Sequence, residues 1–68
     1  MIKMGTYQHF KGSLYNVLHV ARDSETEEYF VVYHPTQSKD DIWIRPLTMF
    51  TETIVRDGKA FKRFEHVE

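Results

Sequence analysis

Residues 41–50, Asp-Ile-Trp-Ile-Arg-Pro-Leu-Thr-Met-Phe, contain the single tryptophan of the chain and its densest group of large apolar side chains. Trp43 and Arg45 alternate with two isoleucines, so residues 42–45 predict a short strand that places the indole and the guanidinium on one face. β-Branched and aromatic side chains suit the pleated, half-buried surface of such a strand. We expect the rest of the chain to fold around this segment.

A helical turn is predicted directly after that strand. Pro46 lacks a backbone donor and should end the strand or place it at a sheet edge. Leu47 and Phe50 are three residues apart and share a face of one short 3-10 turn, which would carry both side chains into the core.

The remaining chain predicts short strands joined by turns. Polar residues 22–27 separate two apolar runs and predict a hairpin, and Asp57-Gly58 predicts another because a type I′ turn needs positive φ. Strict alternation fails near Leu18, which indicates a β-bulge. A short strand or an extended arm is expected at residues 7–10, and strands are expected at residues 14–21, 28–34, 42–45 and 52–56. Phe61 and Phe64 lie on the last strand, which should end or bulge between them.

About five short strands, one helical turn and no long helix indicate an all-β fold, a small five-stranded SH3-like barrel. An OB-type barrel is the alternative, although it usually needs more residues and a helix. The 68 residues predict one domain at residues 7–65, with flexible ends at 1–6 and 66–68. No cysteine is present, so aromatic side chains, 15% of the residues, must supply the core of this small domain.

The charge balance argues against several classes of partner. Nine basic and ten acidic side chains give a net charge of −1 with neutral histidines, whereas a duplex-DNA binder usually has a basic excess. No apolar run is long enough to span a membrane, and the N-terminus has no apolar signal core. We therefore expect a cytoplasmic protein that binds neither duplex DNA nor membranes.

Metal or enzymatic chemistry has little support in the residue pattern. The four histidines, at positions 9, 19, 34 and 66, lack the short spacings typical of zinc ligands. No serine lies in a Gly-x-Ser-x-Gly motif, and neighbouring carboxylates on a strand point apart. We therefore assign no catalytic residue, metal ligand or cofactor. His9 either caps a backbone carbonyl at the barrel edge or, as a less favoured alternative, serves a small hydrolase or metal-dependent module.

A ligand-binding face is predicted around the Trp43 strand. An aromatic and cationic surface suits stacking on a base or a proline, or pairing with a carboxylate. Alternatively, Trp43 belongs to the core and Arg45 pairs with a carboxylate such as Glu28 or Asp41. The predicted ligand-binding residues are Tyr7, His9, Phe10, Lys11, Tyr33, Trp43 and Arg45.

Spaced groups of residues over most of the chain form a recognisable pattern. They are Tyr7-x-His9-Phe10-Lys11-Gly12, Tyr15-x-Val17, Ser24-Glu25-Thr26, Val31-Val32-Tyr33, Trp43-x-Arg45-Pro46-Leu47-x-Met49-Phe50, Asp57-Gly58 and Arg63-Phe64. This pattern resembles the bacterial domain of unknown function DUF1653. The resemblance implies an SH3-type barrel and carries over no catalytic residue. Residues 34–41 depart from the family pattern, because Pro-Thr-Gln-Ser-Lys-Asp stands where the family has a Gly-containing turn.

Together these features predict a small binding module that recognises a peptide segment or single-stranded RNA through the aromatic and cationic face. We expect a monomer or a weak homodimer. The alternative is a structural domain that dimerises through the open edges of its sheet.

Overall fold

The protein is built from short strands. A computed structural model describes residues 1–67 of the 68-residue chain. Its elements are β1 Gly5–His9, β2 Leu14–Arg22, β3 Tyr29–Pro35, β4 Trp43–Pro46, α1 Leu47–Phe50, β5 Thr53–Arg56, β6 Lys59–Lys62 and β7 Phe64–Val67. The predicted all-β class is confirmed. Over residues 1–67, no helix has the length and apolar character needed to cross a bilayer.

The strands form one five-stranded antiparallel sheet and one two-stranded ribbon. The order in the sheet is β4-β3-β2-β1-β7, and β5 pairs with β6 in the ribbon. The main sheet therefore has the predicted number of strands, but the chain forms seven strands in total. Within residues 1–67, β4 and β7 are the edges of the sheet and are not hydrogen-bonded to each other. Hydrogen bonds thus do not close the predicted barrel.

The sheet is nevertheless strongly curved. The guanidinium carbon of Arg45, on β4, lies 5.6 Å from the ring centroid of Phe64, on β7. In a flat sheet these two strands would be about 19 Å apart, four strand spacings. The two edges must therefore bend toward each other, as the strands of a small barrel do.

The core lies on the concave side of this bend. Its buried apolar residues are Tyr7, Val17, Val31, Tyr33, Phe50 and Phe64. The helical turn α1 brings Phe50 onto Phe64, where the two rings stack at 4.1 Å, and Leu47 packs against the same cluster. The predicted role of this turn is confirmed. Its conformation is α-helical rather than 3-10, since the Thr51 N–H donates to the Leu47 carbonyl four residues back at 3.0 Å.

The local irregularities follow the sequence. The pairing of β2 with β3 shifts register between Val17 and His19, which confirms the bulge predicted near Leu18. Asp57 and Gly58 have φ angles of 53° and 75° and join β5 to β6 as a two-residue turn. This conformation is the one that an Asp-Gly hairpin predicts.

The turn from β2 to β3 is held by Asp23. Its carboxylate accepts the backbone N–H groups of Glu25 at 2.8 Å and Thr26 at 3.2 Å. These two hydrogen bonds stabilise the charged form and lower the pKa of Asp23 below its ordinary value.

The terminal strands extend beyond the predicted domain limits of residues 7 and 65. β1 begins at Gly5, and Thr6 pairs with Val67 on β7. The Tyr7 hydroxyl also donates to the Lys3 carbonyl at 2.7 Å, which attaches the first residues to the core. The expected flexible end at residues 66–68 includes residue 68, which lies outside the described part of the chain.

Candidate functional site

Trp43 and Arg45 lie on the concave face of β4, as the alternation predicts. Trp43 pairs with Tyr33 across the strands, and their rings meet edge to face at 5.9 Å. The indole remains 39% exposed. Ile44, the neighbour of Trp43 in the strand, points to the convex side and is 65% exposed, and Ile42, just before the strand, is 47% exposed. Trp43 is therefore packed along one edge and open to a ligand along the other.

Arg45 is held in place without a carboxylate. Its Nε donates to the Tyr33 hydroxyl at 3.2 Å, and the guanidinium lies over the Phe64 ring. The alternative pairing with Glu28 or Asp41 is not observed: Arg45 makes no salt bridge to any residue from 1 to 67. A guanidinium has five N–H donors. Four of them therefore stay available for an anionic group at the surface.

His9 ends β1 beside these residues. Its ring lies edge to face with Phe64 at 5.0 Å. Nδ1 accepts the backbone N–H of Lys11 at 3.1 Å, so the ring accepts from an N–H rather than capping a carbonyl as one interpretation predicted. Because Nδ1 is an acceptor, the neutral ring carries its proton on Nε2. Burial and then the charges of Arg45, Arg63 and Lys11 lower the pKa of His9 below its ordinary value.

Two of the predicted site residues are core residues. Tyr7 is 6% exposed and packs edge-on against Phe50, and Tyr33 is 2% exposed. Tyr33 is therefore out of reach of a ligand, and Tyr7 lines only a separate pocket of about 210 Å³ that holds none of the other predicted site residues. Sequence periodicity placed them on the correct face of their strands but could not show that this face is covered by α1. Tyr33 contributes indirectly, because its hydroxyl positions Arg45.

Phe10 and Lys11 follow β1 in the turn before β2. The Phe10 ring lies 4.4 Å from the His9 ring and 5.5 Å from the Phe61 ring. Lys11 Nζ lies 5.8 Å from the centroid of the Phe10 ring. The guanidinium carbon of Arg56, on β5, lies 5.2 Å from the same centroid. These predicted residues thus adjoin His9 and connect it to the β5–β6 ribbon.

Tyr15 belongs to the site but was not predicted from the sequence. Its half-buried ring lies 5.7 Å from Trp43 and 6.5 Å from His9, so it bridges the two. The sequence does contain a signal for Tyr15: a tight turn after β1 pairs Tyr15 with Tyr7 on the neighbouring strand, so both side chains lie on the same face of the sheet. We call the set His9, Tyr15, Trp43 and Arg45 the aromatic–cationic face.

A shallow pocket adjoins this face at Tyr15. Its volume is about 290 Å³, at the lower limit for a small-molecule site. Its lining consists of Gly12, Ser13, Leu14, Tyr15, Pro35, Thr36 and Gln37. Over residues 1–67, no cluster of three His, Asp or Glu side chains is placed to hold a metal ion. The arrangement offers rings and cations for binding rather than a nucleophile with a base.

Comparisons with known proteins agree with the fold. The family model described as a protein of unknown function, DUF1653, matches residues 5–66. The chain is also similar to the crystal structure of a DUF1653 protein from Bordetella bronchiseptica, at 32% identity and a TM-score of 0.84. That alignment covers 97% of this chain and 87% of the other. No curated protein matches the sequence. From the family match and this structural neighbour, the chain belongs to the DUF1653 family.

Proposed function

We propose that this protein is a binding module that recognises an extended, negatively charged chain through the aromatic–cationic face. The observation that carries the proposal is Arg45, whose guanidinium is positioned by Tyr33 and Phe64 and has no carboxylate partner within residues 1–67. A guanidinium with free donors matches a carboxylate or a phosphate. The partner is a peptide segment or single-stranded RNA.

The positioning of the face favours recognition over a purely structural role. Because Arg45 is already fixed by a hydrogen bond and a ring, it loses little conformational freedom when an anion binds. The partly exposed Trp43 offers a flat apolar surface next to that charge. A ring beside a cation is the combination found in energetic centres of interfaces and in single-strand binding grooves.

An SH3-like architecture is the barrel type that fits this arrangement. The bent five-stranded sheet with its separate hairpin supports it, because the edges curl toward each other without a complete ring of hydrogen bonds. The cytoplasmic location stays a prediction from the sequence.

A dimerising domain is the second candidate, and one observation favours it. The edge strand β4 presents Ile44 on the convex side, 65% exposed, and Ile42, just before the strand, is 47% exposed. An exposed edge strand with apolar side chains invites pairing with a second copy. Size-exclusion chromatography over a concentration series tests this candidate, and Ile44→Lys should abolish any dimer while leaving ligand binding intact.

Binding at the aromatic–cationic face can be measured by fluorescence, because Trp43 is the single tryptophan. We expect either oligouridylate or an acidic, proline-rich peptide to change its emission in a saturable way. Arg45→Gln should weaken this binding by about tenfold or more, the cost of losing a charge-assisted contact.

Arg22→Gln is a matched control. Arg22 also donates to a tyrosine hydroxyl, that of Tyr29 at 2.8 Å, and lies over the same ring at 5.0 Å, but it is on β2, two strands away from β4 and next to the β2–β3 turn. It should bind as the wild type does. Absence of a fluorescence change with both ligand classes, or equal effects of the two substitutions, would contradict the proposed function.

A further inference from the structure

The rings of the aromatic–cationic face continue onto the β5–β6 ribbon. Five rings, each only partly buried or more exposed, follow one another from β4 to β6. Successive centroid distances are 5.7 Å for Trp43 to Tyr15, 6.5 Å for Tyr15 to His9, 4.4 Å for His9 to Phe10 and 5.5 Å for Phe10 to Phe61. We call this series the ring ladder. It is contributed by four strands and a turn, so only the folded chain assembles it.

Cations accompany the ladder along its length. Arg45 lies near its first rings, and Lys11 and Arg56 lie on Phe10, at 5.8 Å and 5.2 Å from the ring centroid. None of these three forms a salt bridge with another residue in the described range 1–67. Arg63, which also acts on His9, is paired with Glu52 at 2.9 Å. Three cations are therefore free to meet a polyanion.

Carboxylates lie near both ends of the ladder. Asp40 and Asp41 lie in the loop before Trp43, and Asp57 follows Arg56 in the turn between β5 and β6. Asp23, Glu25, Glu27 and Glu28 lie in the turn between β2 and β3. The three cations are therefore the groups of the ladder that attract phosphates.

Resting on the proposed function and deepening it, we propose that the ring ladder binds single-stranded RNA, with bases stacked on successive rings and phosphates paired with Arg45, Lys11 and Arg56. Repeated flat faces with interleaved cations are the features by which single strands are bound without sequence preference. We expect a proline-rich or acidic peptide to contact one or two rings and one cation, and not all five rings of the ladder.

The geometry also sets the conformation of the strand. The ring spacings of 4.4–6.5 Å exceed the rise of about 3.4 Å between stacked bases. Neighbouring rings of the ladder are also tilted by 33–70° to each other, so bases placed on them cannot keep their parallel stack and a duplex of the same length cannot use the ladder. His9 links the two halves of the ladder, because its ring packs against both Tyr15 and Phe10 and is oriented by the Lys11 N–H.

A length series tests the inference on the full chain. Labelled oligouridylates of about two and about eight nucleotides are titrated, and fluorescence anisotropy and Trp43 emission are recorded. We expect the longer strand to bind about tenfold or more tightly than the dinucleotide, because it reaches the far rings. A duplex of matched length should bind at least tenfold more weakly than the single strand.

Two variants at the far end of the ladder localise the effect. Phe61→Ala and Arg56→Gln should each weaken the longer strand about five- to tenfold and leave the dinucleotide unchanged. Arg56→Gln should also reduce the slope of log affinity against log salt by roughly 0.7, the release expected for one phosphate contact. Lys62→Gln, on the same hairpin but on the opposite face of β6 from Phe61, is the matched control and should have no such effect. Because Arg56 is exposed, its variant keeps the test valid if Phe61→Ala unfolds.

The outcomes separate this inference from the proposed function. If no ligand of either class perturbs Trp43, the proposed function itself is overturned. If the dinucleotide or a peptide binds at Trp43, but the longer strand gains no affinity or Arg56→Gln behaves as Lys62→Gln does, the ring ladder is overturned and the aromatic–cationic face stands.

Discussion

The molecule contains two groups of aromatic rings with similar chemistry and different surroundings. The rings of Tyr7, Phe50 and Phe64 are at most 6% exposed and touch mainly other rings. Trp43 and Tyr15 are partly exposed, and Arg45, which has no salt bridge within residues 1–67, follows Trp43 on the same face of β4 and lies over the outer side of Phe64. A ring with only apolar neighbours contributes its burial to stability, whereas a ring at the surface beside a cation keeps its interaction free energy for a ligand.

Tyr33 connects the two groups. Its ring belongs to the core at 2% exposure, and its hydroxyl positions Arg45 at the surface. The Tyr33 ring therefore contributes to the stability of the core, and its hydroxyl contributes to the proposed recognition by positioning Arg45. Substitutions and one titration separate the two groups, and their expected effects decrease from Phe50→Ala to the protonation of His9.

Phe50→Ala should produce the largest loss of stability. The ring is 1% exposed and stacks on Phe64, and truncating a buried phenylalanine costs about 3–5 kcal/mol of unfolding free energy. In a domain of this size that is most of the stability. Urea denaturation followed by circular dichroism measures it. Val55→Ala, at a 69% exposed position, should change stability by less than about 0.5 kcal/mol, and comparable losses from both variants would refute the assignment of Phe50 to the core.

Trp43→Ala should act mainly on binding. Loss of a stacking surface costs about 1–3 kcal/mol of ligand affinity, measured by anisotropy of a labelled ligand because the variant lacks the intrinsic fluorophore. Its unfolding free energy should fall by less than that of Phe50→Ala, since the indole is 39% exposed. A larger stability loss than for Phe50→Ala would instead make Trp43 a core residue.

Tyr33→Phe should have a smaller effect on both properties. The ring is kept, and one hydrogen bond to Arg45 Nε is lost, worth about 0.5–1.5 kcal/mol. Ligand affinity should fall only a few-fold, because Arg45 retains its charge but loses its anchor. A double substitution with Arg45→Gln should add no further loss of affinity, and full additivity would show that the hydroxyl does not act through Arg45.

The titration of His9 should show the smallest effect. Burial, then Arg45, Arg63 and Lys11, hold its pKa below the ordinary value of 6.5 in the folded state. As pH falls below about 6.5 the unfolded chain is protonated first, so this group should lower stability progressively until the pH passes the folded-state pKa, where the effect levels off. NMR of the ring protons gives the pKa.

Arg45→Gln sharpens that measurement. Removing the first of the three charges should raise the pKa of His9 part of the way toward 6.5, while the effect of burial remains. Arg22→Gln should leave the titration unchanged, because Arg22 is not among the charges that lower the pKa of His9. An unchanged pKa in Arg45→Gln would show that the two side chains are not electrostatically coupled.

Much of the fold was accessible from the sequence. The bulge near Leu18, the Asp57-Gly58 turn and the helical turn carrying Phe50 were all predicted and are all present. The break before Phe64 was also expected, and there β6 ends and β7 begins. The pairing of the ribbon apart from the main sheet was not predicted, because strand order depends on contacts that local periodicity does not report.

The candidate site was predicted in part. His9, Trp43 and Arg45 do converge, whereas Tyr7 and Tyr33 are covered by α1 and Tyr15 was overlooked. Alternation indicates which face of a strand a side chain occupies. It does not indicate what lies over that face.

The sequence by itself determined the turns, the bulge and the face of each strand, because backbone conformation and side-chain direction are set by a few neighbouring residues. Only the tertiary structure decided which rings are buried and which charge is left without a partner. Arg45 illustrates the reason: its anchor Tyr33 is 12 positions away in sequence, and Phe64 belongs to the opposite edge of the sheet. Burial and pairing depend on distances in space, and the bend of the sheet brings these residues together.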